Sequence, residues 1–210
     1  MALTVANMAG TAGVREARRM DPAVLDALRN VPRHRFVPPE TAPHAYANAA
    51  LPIGHGQTIS QPYIVALMTH LLKAGKGVRV LEVGTGSGYQ AAVLAELGAE
   101  VWTIEIVEPL AREAEGRLAG LGYGRVRVRA GDGYAGWPEA APFDRIIVTA
   151  GADRLPPPLL AQLRPGGRMV VPLRRGAGAE ELVLVEKDRN GRVRSRDILP
   201  VRFVPLVRRR

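Results

Sequence analysis

The 210-residue chain contains no cysteine, which excludes a disulfide framework, a thiolate metal site and a thiolate nucleophile. No apolar run approaches the ~18–20 residues of a membrane span. The opening residues, MALTVANMAGTAGVREARRM, lack a basic region ahead of an apolar stretch, so no signal peptide is read. A soluble, cytoplasmic protein is expected. Internal repeats, low-complexity segments and a G-x-S-x-G elbow are missing as well. Lysine is scarce: 26 of the 29 basic residues are arginine, and the formal charge is +9. A balance of that sign raises the expectation of nucleic acid, but the arginines are dispersed. Only Arg208-Arg209-Arg210 forms a block, and it reads as a solvated tail.

What is present is a normal apolar share of 47%, enough for the core of one domain with a small extension. Residues 1–13 are small and polar and are expected to fray. Asp21-Pro22 opens a helix, with the acid as N-cap and proline at the first helical position; it stops at Val31-Pro32. Residues 33–39 read as an extended, proline-bounded segment, and 43–52 show no period. Neither His34 nor His44 has a partner at metal-ligand spacing, and no metal site is expected. Residues 53–63 (IGHGQTISQPY) read as a loop dense in hydroxyl and amide groups. Pro62 starts a helix to about Lys73, with Ile64, Leu67, Met68, Leu71 and Leu72 as its buried face. Gln61 or Ser60 would be its N-cap. His55 has no acid in a triad-like pattern.

The organising stretch is Val78-Arg-Val-Leu-Glu-Val-Gly-Thr-Gly-Ser-Gly88, a β-branched run that feeds into glycines at 84, 86 and 88 and then into a helix. Backbone at such a turn approaches a ligand too closely for side chains. A dinucleotide fingerprint reads G-x-G-x-x-G. This one reads E-x-G-x-G-x-G, with Glu82 two positions ahead of Gly84. It suits a ligand with no pyrophosphate and with a positive group to meet, such as the amino end of S-adenosylmethionine. Seventeen residues past Gly88, the second strand (100–105) ends in Glu105, which can accept both hydroxyls of a ribose. A third strand (125–130) leads to Gly131-Asp132-Gly133. An adenosine-type ligand lying across three strand ends is the simplest account. Further strands are expected over 143–150 and 168–172, with helices over 108–120 and 156–163 and a basic loop over 174–180. Asn190-Gly191 marks a hairpin between 181–186 and 192–199.

Read together, LEVGTGSGY (81–89), VWTIE (101–105), GDG (131–133), FDRIIVTAG (143–151) and LRPGGRMVVP (163–172) resemble the ordered motifs of class I S-adenosylmethionine-dependent methyltransferases. The segment LPIGHGQTISQPYIVALM (51–68) resembles the signature of protein-L-isoaspartate O-methyltransferases, and RFVP (35–38) and VRFVPL (201–206) look like further marks of that family. The resemblance implies an α/β, doubly wound, mostly parallel sheet of the Rossmann-like kind, with an antiparallel hairpin at one end and an N-terminal helical extension. It divides the chain into that extension (1–77), which carries the substrate loop 51–63, and an S-adenosylmethionine-binding core (78–210). It also implies a cytosolic repair enzyme that methylates the α-carboxylate of isoaspartyl residues, the ester then collapsing to a succinimide. By position, the carboxylate-binding hydroxyl falls on Ser60, with Thr58 and Ile59 beside it. The cofactor residues fall on Glu82, Gly84, Thr85, Gly86, Gly88, Glu105, Asp132 and Gly133. Ala45 to Ala50 departs from the family by having lost its acidic character.

A carboxylate is ionised near neutral pH, its ordinary pKa being about 4, so methyl transfer to it requires no general base. That agrees with a chain in which no base or metal cluster stands out. An RNA or DNA substrate is the rival reading. Base-amino methyltransferases carry an Asn/Asp-Pro-Pro-aromatic turn where this chain has Thr149-Ala150-Gly151-Ala152, and carbon-directed methylation of pyrimidines needs the missing cysteine. Isoaspartyl proteins and peptides are therefore the expected partners, a monomer is expected, and a membrane or nucleic acid is not.

Overall fold

The computed structural model describes residues 20–176 and 178–208. The expected fraying of residues 1–13 and the last two tail arginines lie outside them. Seven strands form one sheet in the order β5-β4-β3-β6-β7-β8-β9: β3 (Arg79–Val83), β4 (Glu100–Glu105), β5 (Arg127–Ala130), β6 (Phe143–Val148), β7 (Leu163–Arg175), β8 (Ala179–Lys187) and β9 (Val193–Val201). The pairs from β5 to β7 are parallel, while β7 with β8 and β8 with β9 are antiparallel. The Asn190-Gly191 hairpin thus closes one end of the sheet. Chain order reverses at β3, whose neighbours are β4 and β6. In such sheets the crevice at the carboxyl ends beside the reversal is where ligands bind.

Both faces of the sheet are covered, so its central strands are continuously apolar rather than alternating with polar residues. Val80, Val101, Ile147 and Val170 face one cluster, with α2 (Pro62–Leu72), α3 (Tyr89–Glu96) and residues of α1 (Pro22–Asn30) and α4 (Glu108–Gly120). Leu81, Trp102, Ile146 and Met169 face the other, with Leu159 of the short α5 (Pro157–Gln162). Part of the arginine excess is spent on packing. Arg79 and Arg127 lie 4.4 and 4.5 Å from the Trp102 ring centre, and Arg168 pairs with Glu186 at 2.8 Å.

The region before β3 departs most from expectation. Where a loop over 53–63 is expected, residues 51–59 form a hairpin, with β1 (Leu51–Gly54) antiparallel to β2 (Gln57–Ile59). Its tip has positive φ at three successive residues, Gly54, His55 and Gly56, which explains why glycine flanks the histidine. The stretch 33–36 is a 3-10 turn rather than an extended segment, and a second such turn spans 42–44. All eleven residues of α2 are buried, not one face alone. Two of its polar members are satisfied inside: Thr69 Oγ1 donates to Val65 O at 2.7 Å and accepts from Gln90 Nε2 at 2.9 Å, and His70 Nδ1 accepts from Asp21 N at 3.2 Å, while the buried Tyr63 hydroxyl has no partner among the described residues. The basic loop expected over 174–180 shrinks to the turn between β7 and β8.

Candidate functional site

The glycine turn after β3 is pinned from β4. Gly84 N and Thr85 N donate to Ile104 O at 2.8 and 3.2 Å, and Gly86 N donates to Glu105 Oε2 at 2.8 Å. The other Glu105 oxygen accepts from Val107 N at 3.0 Å. The 84–88 turn and Glu105 are therefore brought together, as the motif spacing predicts. Gly84 sits at φ 99°, and a Cβ there would run into Thr149 Oγ1, which crosses from the end of β6. That hydroxyl is within reach of two carbonyls of the turn, Val83 O at 3.0 Å and Gly84 O at 2.6 Å. Gly133 makes a similar close approach, against Val83.

These residues wall a cleft of about 140 Å³ at the strand ends, lined among others by Gly84, Gly86, Glu105, Gly133 and Val204–Val207. The C-terminal segment that roofs it is anchored at three points. Phe203 N donates to Glu180 Oε2 at 2.7 Å, Gly151 N to Val204 O at 2.8 Å, and Leu206 N to Gly151 O at 2.7 Å. The VRFVPL motif is thus a strap across the carboxyl end of the sheet. Beside the cleft lies an outer pocket of about 520 Å³ between the 58–64 segment and residues 199–204. A connecting cavity of about 40 Å³ runs beneath. Thr58 and Thr149 line all three, and Ser60 lines the outer pocket and the connecting cavity.

Ser60 is half-buried, and its hydroxyl has no hydrogen-bond partner among the described residues. It does not cap α2. The N-cap position is Gln61, whose side chain makes no cap bond, and the helix's Tyr63 N donates instead to Asn48 Oδ1 at 3.0 Å. Asn48 belongs to the 45–50 segment that lacks acids, so an amide does the capping there. The Ser60 carbonyl accepts from Arg33 at 2.7 Å, and the same guanidinium donates to Ala45 O at 2.8 Å and stacks 4.8 Å from the centre of the Tyr89 ring. Arg33 is fully buried, and burial holds its pKa below the ordinary value. It fixes the end of the hairpin against the start of α3.

The other predicted residues differ in position. Ile59 is turned into the core and lines only the connecting cavity. Thr85 is buried, with its hydroxyl 2.7 Å from that of Thr103. Gly88 lines none of the three spaces and packs on Leu118 of α4. Asp132 Oδ1 accepts from Tyr134 N at 2.9 Å and its other oxygen lies 3.9 Å from Arg208; Gly133, not Asp132, faces the cleft. His55, at the hairpin tip, stands 3.5 Å from Glu113 of α4, and both are exposed. Glu82 is fully buried beneath the turn, and its oxygens make no hydrogen bond of full geometry. Burial pushes its pKa up to about 8; the nearby Thr103 hydroxyl, engaged with Thr85, offsets this only in part, and the neighbouring Glu105 charge adds to it.

Sequence reasoning missed Arg33, Asn48, Thr149 and Glu180. Each works through a contact distant in sequence, so no local pattern marks it. RFVP and VRFVPL were legible as motifs, which was the available signal for the turn and the strap.

Residues 12–210 match the family described as Protein-L-isoaspartate(D-aspartate) O-methyltransferase (PCMT). Protein-L-isoaspartate O-methyltransferase 2 of Syntrophobacter fumaroxidans is 61% identical over 89% of this chain and 76% of its own length. The protein of the same name from Polaromonas sp. is 57% identical over 95% and 98%. A solved protein-L-isoaspartate O-methyltransferase superposes with a TM-score of 0.83 at 28% identity, covering 98% of this chain and 65% of that one. A Plasmodium falciparum structure in complex with S-adenosyl-L-homocysteine gives a TM-score of 0.81 over 99% and 98%, and at 22% identity it speaks to the fold alone. The overall fold agrees with these likenesses, and the chain belongs to the protein-L-isoaspartate(D-aspartate) O-methyltransferase family.

Proposed function

We propose that methyl transfer takes place where the three spaces meet, with the 58–64 segment of the extension (1–77) and residues 199–204 presenting the acceptor and the strand ends of the core (78–210) holding S-adenosylmethionine. The enzyme methylates the α-carboxylate of L-isoaspartyl residues in damaged proteins and peptides, which starts repair through a succinimide. S-adenosylmethionine supplies an electrophilic methyl group on a sulfonium. The residues of the strand-end cleft fit such a group. Each Glu105 oxygen accepts one backbone N–H and keeps a further lone pair, as an ionised carboxylate has about four acceptor directions. Glu105 therefore serves the ribose hydroxyls. The backbone of Gly84, Thr85, Gly86 and Gly88 shapes the turn, Gly133 with Asp132 beside it serves the adenine end, and the buried Glu82 underlies the turn that receives the amino end.

The observation that carries the reading is Ser60, whose unpartnered hydroxyl stands in the outer pocket and the connecting cavity at once. Its O–H donates to one oxygen of the acceptor carboxylate and leaves the other aimed along the connecting cavity, with Thr58 and Ile59 setting the edge. No proton has to be moved, because the acceptor is already ionised. Holding it in line is worth far more than chance encounter. The strap 202–207 keeps water from the cleft, and a dry site disfavours the separated charges of the reactants more than the transition state in which they cancel.

The same reading makes the protein a cytoplasmic monomer whose partners are isoaspartyl proteins and peptides, with no role for membrane or nucleic acid. Large apolar side chains exposed among the described residues are scattered, at Tyr46, Val193 and Val207. No described helix is long and apolar enough to cross a membrane. The test is transfer of a tritiated methyl group to an isoaspartyl peptide, to its aspartyl twin and to bulk RNA under identical conditions. Label on the isoaspartyl peptide alone is expected, and label on RNA would overturn the reading.

A further inference from the structure

The outer pocket is large for a single carboxylate, and of the residues lining it only Arg202 is charged. Arg202 follows the last residue of β9, and its base is held on both sides. Val201 is paired with Glu180 of β8, and the next residue, Phe203, donates its N–H to the Glu180 carboxylate. The Arg202 side chain is exposed and has no ion-pair or hydrogen-bond partner among the described residues. That contrasts with the arginines elsewhere that pair with acids, such as Arg164 with Asp144, Arg174 with Asp153 and Arg175 with Asp197. An anionic acceptor thus enters a pocket whose wall carries one uncompensated positive charge and no negative one. Arg202 and Ser60 line the same pocket, one from the strap and one from the end of the hairpin. Nothing ties its guanidinium to the Ser60 hydroxyl.

We propose that Arg202 selects among isoaspartyl substrates, favouring those with a second carboxylate one or two residues from the isoaspartate. This rests on the reading of the outer pocket as the acceptor site. An extended chain advances about 3.3 Å per residue, so a flanking Glu or Asp falls within the reach of a long arginine side chain when the isoaspartyl carboxylate lies at Ser60. Because the guanidinium is solvent-exposed, its contribution is that of a surface pair. The effect on KM is about two- to fivefold, and salt screens it.

The experiment uses isoaspartyl hexapeptides identical except for one flanking residue, Glu, Gln or Lys, on either side of the isoaspartate. Initial rates of methyl transfer are compared for the wild type, R202Q and R202E, with thermal melts matched. The expected result is a wild-type preference for Glu over Lys that resides in KM and fades at high salt. It disappears in R202Q and reverses in R202E. The same ranking in wild type and R202Q, no ranking in the wild type, or a uniform loss for all peptides in R202Q would each overturn the proposal. The uniform loss would assign Arg202 to the acceptor carboxylate itself or to the fold. A wild-type enzyme that methylates none of the isoaspartyl peptides would sink the reading of the pocket as the acceptor site, and the selection with it. That outcome is distinguishable because it precedes any ranking.

Discussion

The two halves of the site are built in different ways. The floor of the strand-end cleft is made of consecutive pieces, each a strand followed by its turn: 79–86, 100–107 and 127–133, with Thr149 beside them and residues 204–207 over them. The outer pocket, proposed for the acceptor, is assembled from stretches far apart in the chain, the 58–64 segment and the end of β9 with the strap at 199–204. Contacts in the first join neighbouring strand ends: Gly84 N to Ile104 O, Gly86 N to Glu105 and Thr149 Oγ1 to Val83 O. In the second, single side chains hold the backbone of distant segments: Arg33 the Ser60 carbonyl, Asn48 the Tyr63 N–H and Glu180 the Phe203 N–H. A rigid sheet end can hold the cofactor common to a superfamily, while a pocket hung on a few side chains can be retuned for its acceptor. The contrast makes substitutions in the two halves separable in what they damage.

The largest effect is expected at Gly84. Alanine there must adopt a φ near 99° and place its Cβ against Thr149 Oγ1. Backbone strain alone costs about 1–3 kcal/mol. Gly84→Ala should lower the melting temperature and reduce S-adenosylmethionine binding by well over tenfold, measured by calorimetric titration. Adding Thr149→Ala should restore only part of this, since it removes the clash and leaves the φ.

Next comes Glu105→Ala, in which two ribose hydroxyls lose an ionised acceptor while Gly86 N and Val107 N lose their partner. Hydrogen bonds to charged groups are worth about 1.5–3 kcal/mol, so titration should register roughly a tenfold or greater loss of cofactor affinity. Turnover at saturating cofactor should change less. Unchanged affinity would remove Glu105 from the donor half.

Glu82 sharpens the comparison through pH. Its pKa is pushed up to about 8 by burial, against about 4.3 for a free glutamate. The folded protein then holds a proton that the unfolded chain has given up, so stability falls as pH rises between those two values. The Glu82→Gln variant lacks this term. Its melting temperature should gain on the wild type as pH goes from about 5 to about 8, with no such drift in a control substitution of exposed Glu115. Parallel pH curves for variant and wild type would show that Glu82 is ionised in the folded state.

The donor half was legible because a strand, a glycine turn and a helix follow one another within a dozen residues, and each step has a local cause. Glu105 was found by the same logic at the next strand end. The acceptor half was legible only as likeness to a family signature. Its hairpin was read as a loop because residues 51–59 are short, carry Pro52 and lack the alternation of a half-buried strand. Nothing local sets Arg33 apart from the other arginines, and only the folded chain reveals that it is wholly buried, with its guanidinium on the Ser60 carbonyl. Thr149 drew notice as the absence of an aromatic. Its role as the wall shared by all three spaces depends on the reversal of strand order beside β3, which no local pattern encodes.

The central claim is that donor and acceptor halves are separate and meet at Ser60. One variant tests it directly: Ser60→Ala, followed by calorimetric titration with S-adenosylmethionine, thermal melt and methyl transfer to an isoaspartyl peptide. The account predicts unchanged cofactor affinity, an unchanged melt because Asn48 rather than Ser60 caps α2, and turnover reduced by roughly ten- to more than a hundredfold. A variant with a lowered melting temperature and normal turnover per folded molecule would contradict it.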